Sequence, residues 1–139
     1  LLIELKVPSH ASARALCRAV EADLGDYHGP VAVMSFHPHV SAWFAAHAPR
    51  RVRGWVVTEQ RARGMWSNVK RNLAFWWARP DFLGYDIRDL PSRFARRART
   101  RAMPVLTWTV RSDAQKQTAQ AEADAAIFEI PSGDHAPNE

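Results

Sequence analysis

The chain has 139 residues, 47% apolar and 24% charged, with a formal net charge of +5 and a pI near 10.1. That balance excludes a disordered chain and leaves room for one domain with a real core. No apolar run approaches the ~20 residues that span a bilayer, and the lone Cys17 excludes an internal disulfide.

Nothing in the cysteine usage requires an oxidising compartment, so a cytoplasmic setting is the expectation. The basic balance suits an anionic partner without separating nucleic acid, phospholipid headgroups and phosphate esters. The sequence opens at Leu1, already inside a strand, and is expected to be a piece of something longer.

Residues 1–7 read as a buried strand. Side chains alternate across a strand, so Glu4 and Lys6 share one face while Ile3, Leu5 and Val7 share the other. Two charges in an apolar run are costly to bury unless they pair, bind a metal or meet a charged substrate. A strand end that lets both reach solvent is the other reading. Ser9 is the expected N-cap of a helix with Ala13, Leu16, Cys17, Val20 and Leu24 on its apolar stripe. Gly25 is its expected stop, and Cys17 reads as a small core residue.

Residues 31–36 form a second strand, broken by His37-Pro38. Val40, Trp43, Phe44 and His47 mark the next helix. The spacing of His37, His39 and His47 lacks a zinc pattern. Residues 52–58 are a third strand and 59–64 a polar loop. Trp66, Val69, Leu73, Trp76 and Trp77 then mark a helix that also carries Lys70, Arg71 and Arg79. The expectation is a packing helix whose cations snorkel to water. The alternative is peripheral contact with a membrane surface through residues 66–79.

Residues 82–87 are a fourth strand, and Asp89-Leu90-Pro91 is expected to start a helix running to Arg101. Its five arginines, from Arg93 to Arg101, lack interleaved aromatics beyond Phe94, so no nucleic acid is expected as a partner. Residues 103–110 are a strong strand. Ser112 with Gln115 predicts a capping box and a helix through about Ala123. A last short strand covers residues 125–130, and residues 132–139 form a polar tail. Strands and helices alternate throughout, which predicts a parallel sheet with crossover helices. No glycine-rich phosphate loop follows a strand, leaving an open sheet or a barrel.

Four of these segments, in order, resemble the glycerophosphodiester phosphodiesterases, which are (β/α)8 barrels. Leu2-Ile3-Glu4-Leu5-Lys6 is similar to the family's Ile-Glu-Ile-Lys strand, and Ser35-Phe36 to the Ser-Phe that ends its next strand. Pro104-Val105-Leu106-Thr107-Trp108-Thr109-Val110 resembles its Val-x-x-Trp-Thr-Val-Asn segment. Residues 123–131 resemble its closing Gly-x-Asp-Gly-Ile-Ile-Thr-Asp-x-Pro, with Glu129 where aspartate is common.

The resemblance implies an α/β fold of the TIM-barrel type, (β/α)8, here incomplete with about six βα units over residues 1–131. It implies roughly the C-terminal three quarters of a barrel, lacking about 100 residues. It also implies hydrolysis of glycerophosphodiesters, as small-molecule substrates, to glycerol 3-phosphate and an alcohol with a divalent cation, Mg²⁺ or Ca²⁺. Glu4 would be a metal ligand, Lys6 the catalytic lysine, and Phe36 and Trp108 the substrate-binding walls. The family's His-Arg-Gly strand, Glu-x-Asp pair and second histidine have no counterpart here, so these residues alone are expected to be inactive. An open barrel also leaves two edge strands, and self-association across the gap is expected. The alternatives are a non-enzymatic module for anionic lipid or phosphate, and a phospholipase-like phosphodiesterase of the same barrel type.

Overall fold

The computed structural model describes residues 1–60 and 65–128. The elements run β1 (Leu2–Glu4), α1 (His10–Asp23), β2 (Ala32–Ser35), α2 (Pro38–His47), β3 (Val52–Val57) and α3 (Met65–Ala78). They continue with β4 (Phe82–Asp86), a 3-10 turn (Ile87–Asp89), α4 (Arg93–Arg99), β5 (Val105–Val110), α5 (Asp113–Glu122) and β6 (Ala125–Phe128). The strands form one sheet in sequence order, every pair parallel. The result is a curled, incomplete (β/α)-barrel sheet of six strands, parallel as the alternation predicts and of the barrel type that the resemblance implies. The expected tail, residues 132–139, lies outside the described residues, as do Glu129 and Ile130.

Strand alternation gives the sheet two unlike faces. Odd-numbered positions of β1 and β2 face the helices: Leu5 and Val33 pack with Cys17, Val40 and Phe44. A second helix-side core gathers Trp55, Leu83, Tyr85, Val105 and Val110 under α3, α4 and α5. The other face is the barrel's inner side, where Met34, Val56 and Phe82 pack with Leu106 and Trp108. Two glycines make room there. A Cβ on Gly54 would stand 2.2 Å from Phe82 Cζ, so the glycine lets that ring cross the floor.

Several expected boundaries move. The strand at residues 1–7 is neither that long nor buried: β1 stops at Glu4, and Leu1 and Leu2 are exposed. As the sheet edge it has only β2 beside it among the described residues. Ser9 caps α1 as expected, with Ser12 completing a capping box, and the helix closes on Leu24 as its C-cap with Gly25 directly after it. The predicted helix start at Asp89-Leu90-Pro91 instead closes the 3-10 turn, with Asp89 its last residue and Leu90 its C-cap. Ser92 is the N-cap of α4, accepting from the amides of Phe94 and Ala95. Two of the arginines beyond it, Arg96 and Arg99, pair with Glu122 and Asp124 across α5. Ser112 caps α5, while Gln115 Oε1 accepts from the Arg111 amide rather than the Ser112 amide a capping box uses.

The largest correction concerns α3. Its expected packing stripe faces water: Trp66 is 76% exposed, Leu73 65%, Trp76 71% and Trp77 50%. The buried side is Ala74, Phe75 and Ala78. The sheet beneath already presents Trp55, Val57 and Tyr85, so small residues let the helix approach.

Candidate functional site

The C-terminal ends of β1 and β2 shape the site. Glu4 closes β1, in register with Met34 on the inner face. Lys6 follows two residues on, past the strand, with Leu5 turned the other way into the core. This places the two charges on one side, as the alternation predicts. Both are exposed, and neither pairs with the other or with any described residue. Glu4, Lys6 and Phe36 line one cavity of about 560 Å³, together with Ser35 and Pro38.

Ser35 holds these ends together. Its hydroxyl, 1% exposed, donates to the Leu5 carbonyl at 2.6 Å and accepts from the His37 amide at 3.1 Å. The Leu5 amide donates to the Met34 carbonyl at 2.8 Å, carrying the ladder one residue beyond β1. His37 then caps α2, its Nδ1 accepting from the His39 amide. The serine was legible as half of a motif, but its clip on β1 was not.

Phe36 and Trp108 also meet. Their rings stand edge to face with centroids 5.4 Å apart at 83°, so a residue after β2 touches one on β5 across the inner face. The Trp55 indole donates to the Phe36 carbonyl at 3.2 Å and fixes that backbone from β3. Gly84 keeps the ground beside Trp108 low: a Cβ there would lie 3.8 Å from Trp108 Cδ1. The indole N–H of Trp108 is shielded from solvent and has no acceptor among the described residues. A buried donor without a partner is costly.

Sequence reasoning missed Asp86. It ends β4 in register with Trp108 and is 1% exposed. Burial pulls its pKa upward. The Arg88 side chain, donating at 2.9 Å to Oδ1 and 2.5 Å to Oδ2, outweighs burial and holds the carboxyl below its usual range. A carboxylate at the C-terminal end of a barrel strand, with arginine two residues on, was the available signal.

A cation site is not complete among these residues. No group of three His, Cys, Asp or Glu side chains comes together among the described residues. Mg²⁺ and Ca²⁺ take six or more oxygen ligands, and Glu4 supplies one carboxylate.

Strand order, parallel pairing and a cavity at the strands' C-terminal ends define the class: part of a (β/α) barrel with its candidate site where such barrels carry chemistry. The particular barrels it resembles include a phosphodiesterase from Oleispira antarctica in complex with sn-glycerol-3-phosphate. That match has 17% identity and a TM-score of 0.69, covering 90% of this chain and 49% of that one. A candidate glycerophosphoryl diester phosphodiesterase from Silicibacter pomeroyi matches at 22% identity and TM-score 0.73, covering 95% and 47%. The glycerol uptake operon antiterminator regulatory protein of Listeria monocytogenes matches at 12% and 0.57, covering 97% and 82%.

No family model matches the chain, and no curated relative does. The fold of the glycerophosphodiester phosphodiesterase barrels is therefore present, as the motifs implied. The chain spans about half the length of the two phosphodiesterase structures. The regulatory protein on the same fold is a reminder that architecture alone does not name chemistry.

Proposed function

We propose that this chain forms part of a metal-dependent phosphodiesterase that hydrolyses glycerophosphodiesters to glycerol 3-phosphate and an alcohol. The observation that carries the reading is the convergence of Glu4, Lys6 and Phe36 on one cavity, with Trp108 packed against Phe36. The glycerol phosphate bound by the Oleispira neighbour supports a small phosphorylated ligand. Lys6 would neutralise phosphoryl oxygens, worth most where the rings of Phe36 and Trp108 exclude water. The Trp108 N–H would donate to a hydroxyl or phosphoryl oxygen. Glu4 fits one ligand position for Mg²⁺ or Ca²⁺ and not a whole site, so no step is routed through a metal.

His37 also lines the cavity, but its Nδ1 is taken up in capping α2, and the two motif histidines of the phosphodiesterases have no counterpart here, so these residues by themselves are expected to be silent. Metal-dependent release of glycerol phosphate by the purified chain would refute that silence. The site itself is tested by titrating the chain with sn-glycerol 3-phosphate. Amide shifts are expected at Lys6, Phe36 and Trp108 and are lost in Lys6→Ala. Shifts elsewhere, or shifts indifferent to Lys6, would remove the assignment. A phospholipase-like reading differs in substrate, and assaying the longer parent on glycerophosphocholine against phosphatidylinositol separates the two. The same reading expects self-association, since β1 and β6 each have one strand neighbour. Light scattering across a dilution series tests it.

A second reading, a module that binds anionic lipid without catalysis, is favoured by the exposed tryptophans of α3.

A further inference from the structure

On the helical side of the sheet, α1, α2 and α3 flank a groove of about 850 Å³ that is lined by other residues than the Glu4 cavity. Its floor is made of small side chains, Ala42, Ala45 and Ala46 of α2. Its walls are aromatic, Trp43 from α2 and Trp76 and Trp77 from α3. A slot of alanines between indoles suits an unbranched hydrocarbon chain. Outside the groove the apolar face continues over Trp66, Val69 and Leu73, all exposed. Monomeric soluble proteins rarely leave such a face bare.

The charges around it have one sign. Arg14 and Arg79 line the groove, and Lys70 shares the exposed face of α3. None of the three has an acidic partner among the described residues, and α3 contains no acidic residue. The Trp43 indole N–H is shielded from solvent with no acceptor among the described residues. A hydrocarbon slot, unpaired cations and a spare donor together call for a ligand with an alkyl chain and anionic oxygens. A second copy fits poorly, because a two-fold contact would set these cations against themselves.

We propose that the groove docks the chain on anionic membranes, seating one acyl chain of an anionic phospholipid while the α3 tryptophans enter the bilayer interface. Tryptophan favours that interfacial layer, and arginine and lysine are drawn to an anionic leaflet. The proposal deepens the lipid-binding reading and is independent of the phosphodiesterase reading, whose cavity at the strands' C-terminal ends shares no lining residue with the groove.

The test is flotation of the full chain with phosphatidylcholine vesicles, with and without phosphatidylglycerol, and with brominated acyl chains to quench tryptophan. Binding is expected only with phosphatidylglycerol, accompanied by quenching. Trp76→Ala/Trp77→Ala is expected to weaken it about tenfold or more. Arg14→Glu/Arg79→Glu is expected to do the same, each cation near the surface being worth about fivefold. All four side chains are outside the core, so unchanged circular dichroism is the folding control. Equal binding without phosphatidylglycerol overturns the proposal, as does wild-type binding by either variant. So do absent quenching and a dimer that the tryptophan variant dissolves.

Discussion

Replacing Gly54 with alanine tests the packing that floors the barrel's inner side. A Cβ at that position would lie 2.2 Å from Phe82 Cζ, 2.3 Å from Cε2 and 2.9 Å from Cδ2. Carbon atoms pack best about 3.5–4.0 Å apart, so the ring must retreat by about 1 Å or more. Phe82 is 5% exposed with Met34 and Val56 beside it, so the retreat is resisted. Overpacking of this kind costs about 1–3 kcal/mol. Against it, alanine restricts the unfolded chain and returns about 0.4–1 kcal/mol. The net expectation is a loss of about 1–2 kcal/mol. Shrinking the ring relieves the clash, so Gly54→Ala in a Phe82→Leu background should cost less than in the wild type, by about 1 kcal/mol. Urea unfolding followed by far-ultraviolet circular dichroism measures all four corners of the cycle. A neutral or stabilising Gly54→Ala, or strict additivity with Phe82→Leu, would refute the reasoning.

Three further outcomes are expected. Ser35→Ala leaves the Leu5 carbonyl and the His37 amide without their partner, at a cost of about 1–3 kcal/mol. Amide exchange at His37 should quicken, and exchange as slow as wild type would deny the clip. The folded pKa of Asp86 is depressed, so its contribution to stability is present above the ordinary carboxylate value of about 3.9 and lost as pH falls through the folded pKa. Asp86→Asn should therefore destabilise at neutral pH and flatten the acid limb of the stability curve; an acid limb parallel to wild type counts against it. Burial pushes the Cys17 thiol up to about 11, so it should resist thiol reagents at neutral pH until the chain unfolds. Stoichiometric labelling of native protein would contradict its place in the core.

Much of the fold was legible because it rests on periodicity. The alternation over residues 1–7 brought Glu4 and Lys6 to one cavity, although β1 itself ends at Glu4, and the regular return of apolar runs gave six parallel strands. The motif containing Trp108 and the one containing Phe36 lie 72 positions apart in the sequence. Only sheet curvature brings their rings together. Periodicity failed on α3, where it located an apolar stripe but not which side the sheet would cover. The answer depended on the bulk of Trp55 and Tyr85 beneath, which lie on other strands. Asp86 was passed over for a related reason. A charged residue at a strand end reads as solvated, and its burial follows from the strand beside it and from Arg88.

The helix-side packing is divided, with one core around α1, β1, β2 and α2 and another around β3 to β6. Glu4, Lys6 and Phe36 stand on the first side of that seam and Trp108 on the second, joined by the ring contact and by the Trp55 bond to Phe36. The cavity is lined wholly from the first block, and only the ring packed behind Phe36 comes from the second. Parting the seam would leave Glu4 and Lys6 in place and strip away the one aromatic wall that the far strands lend them.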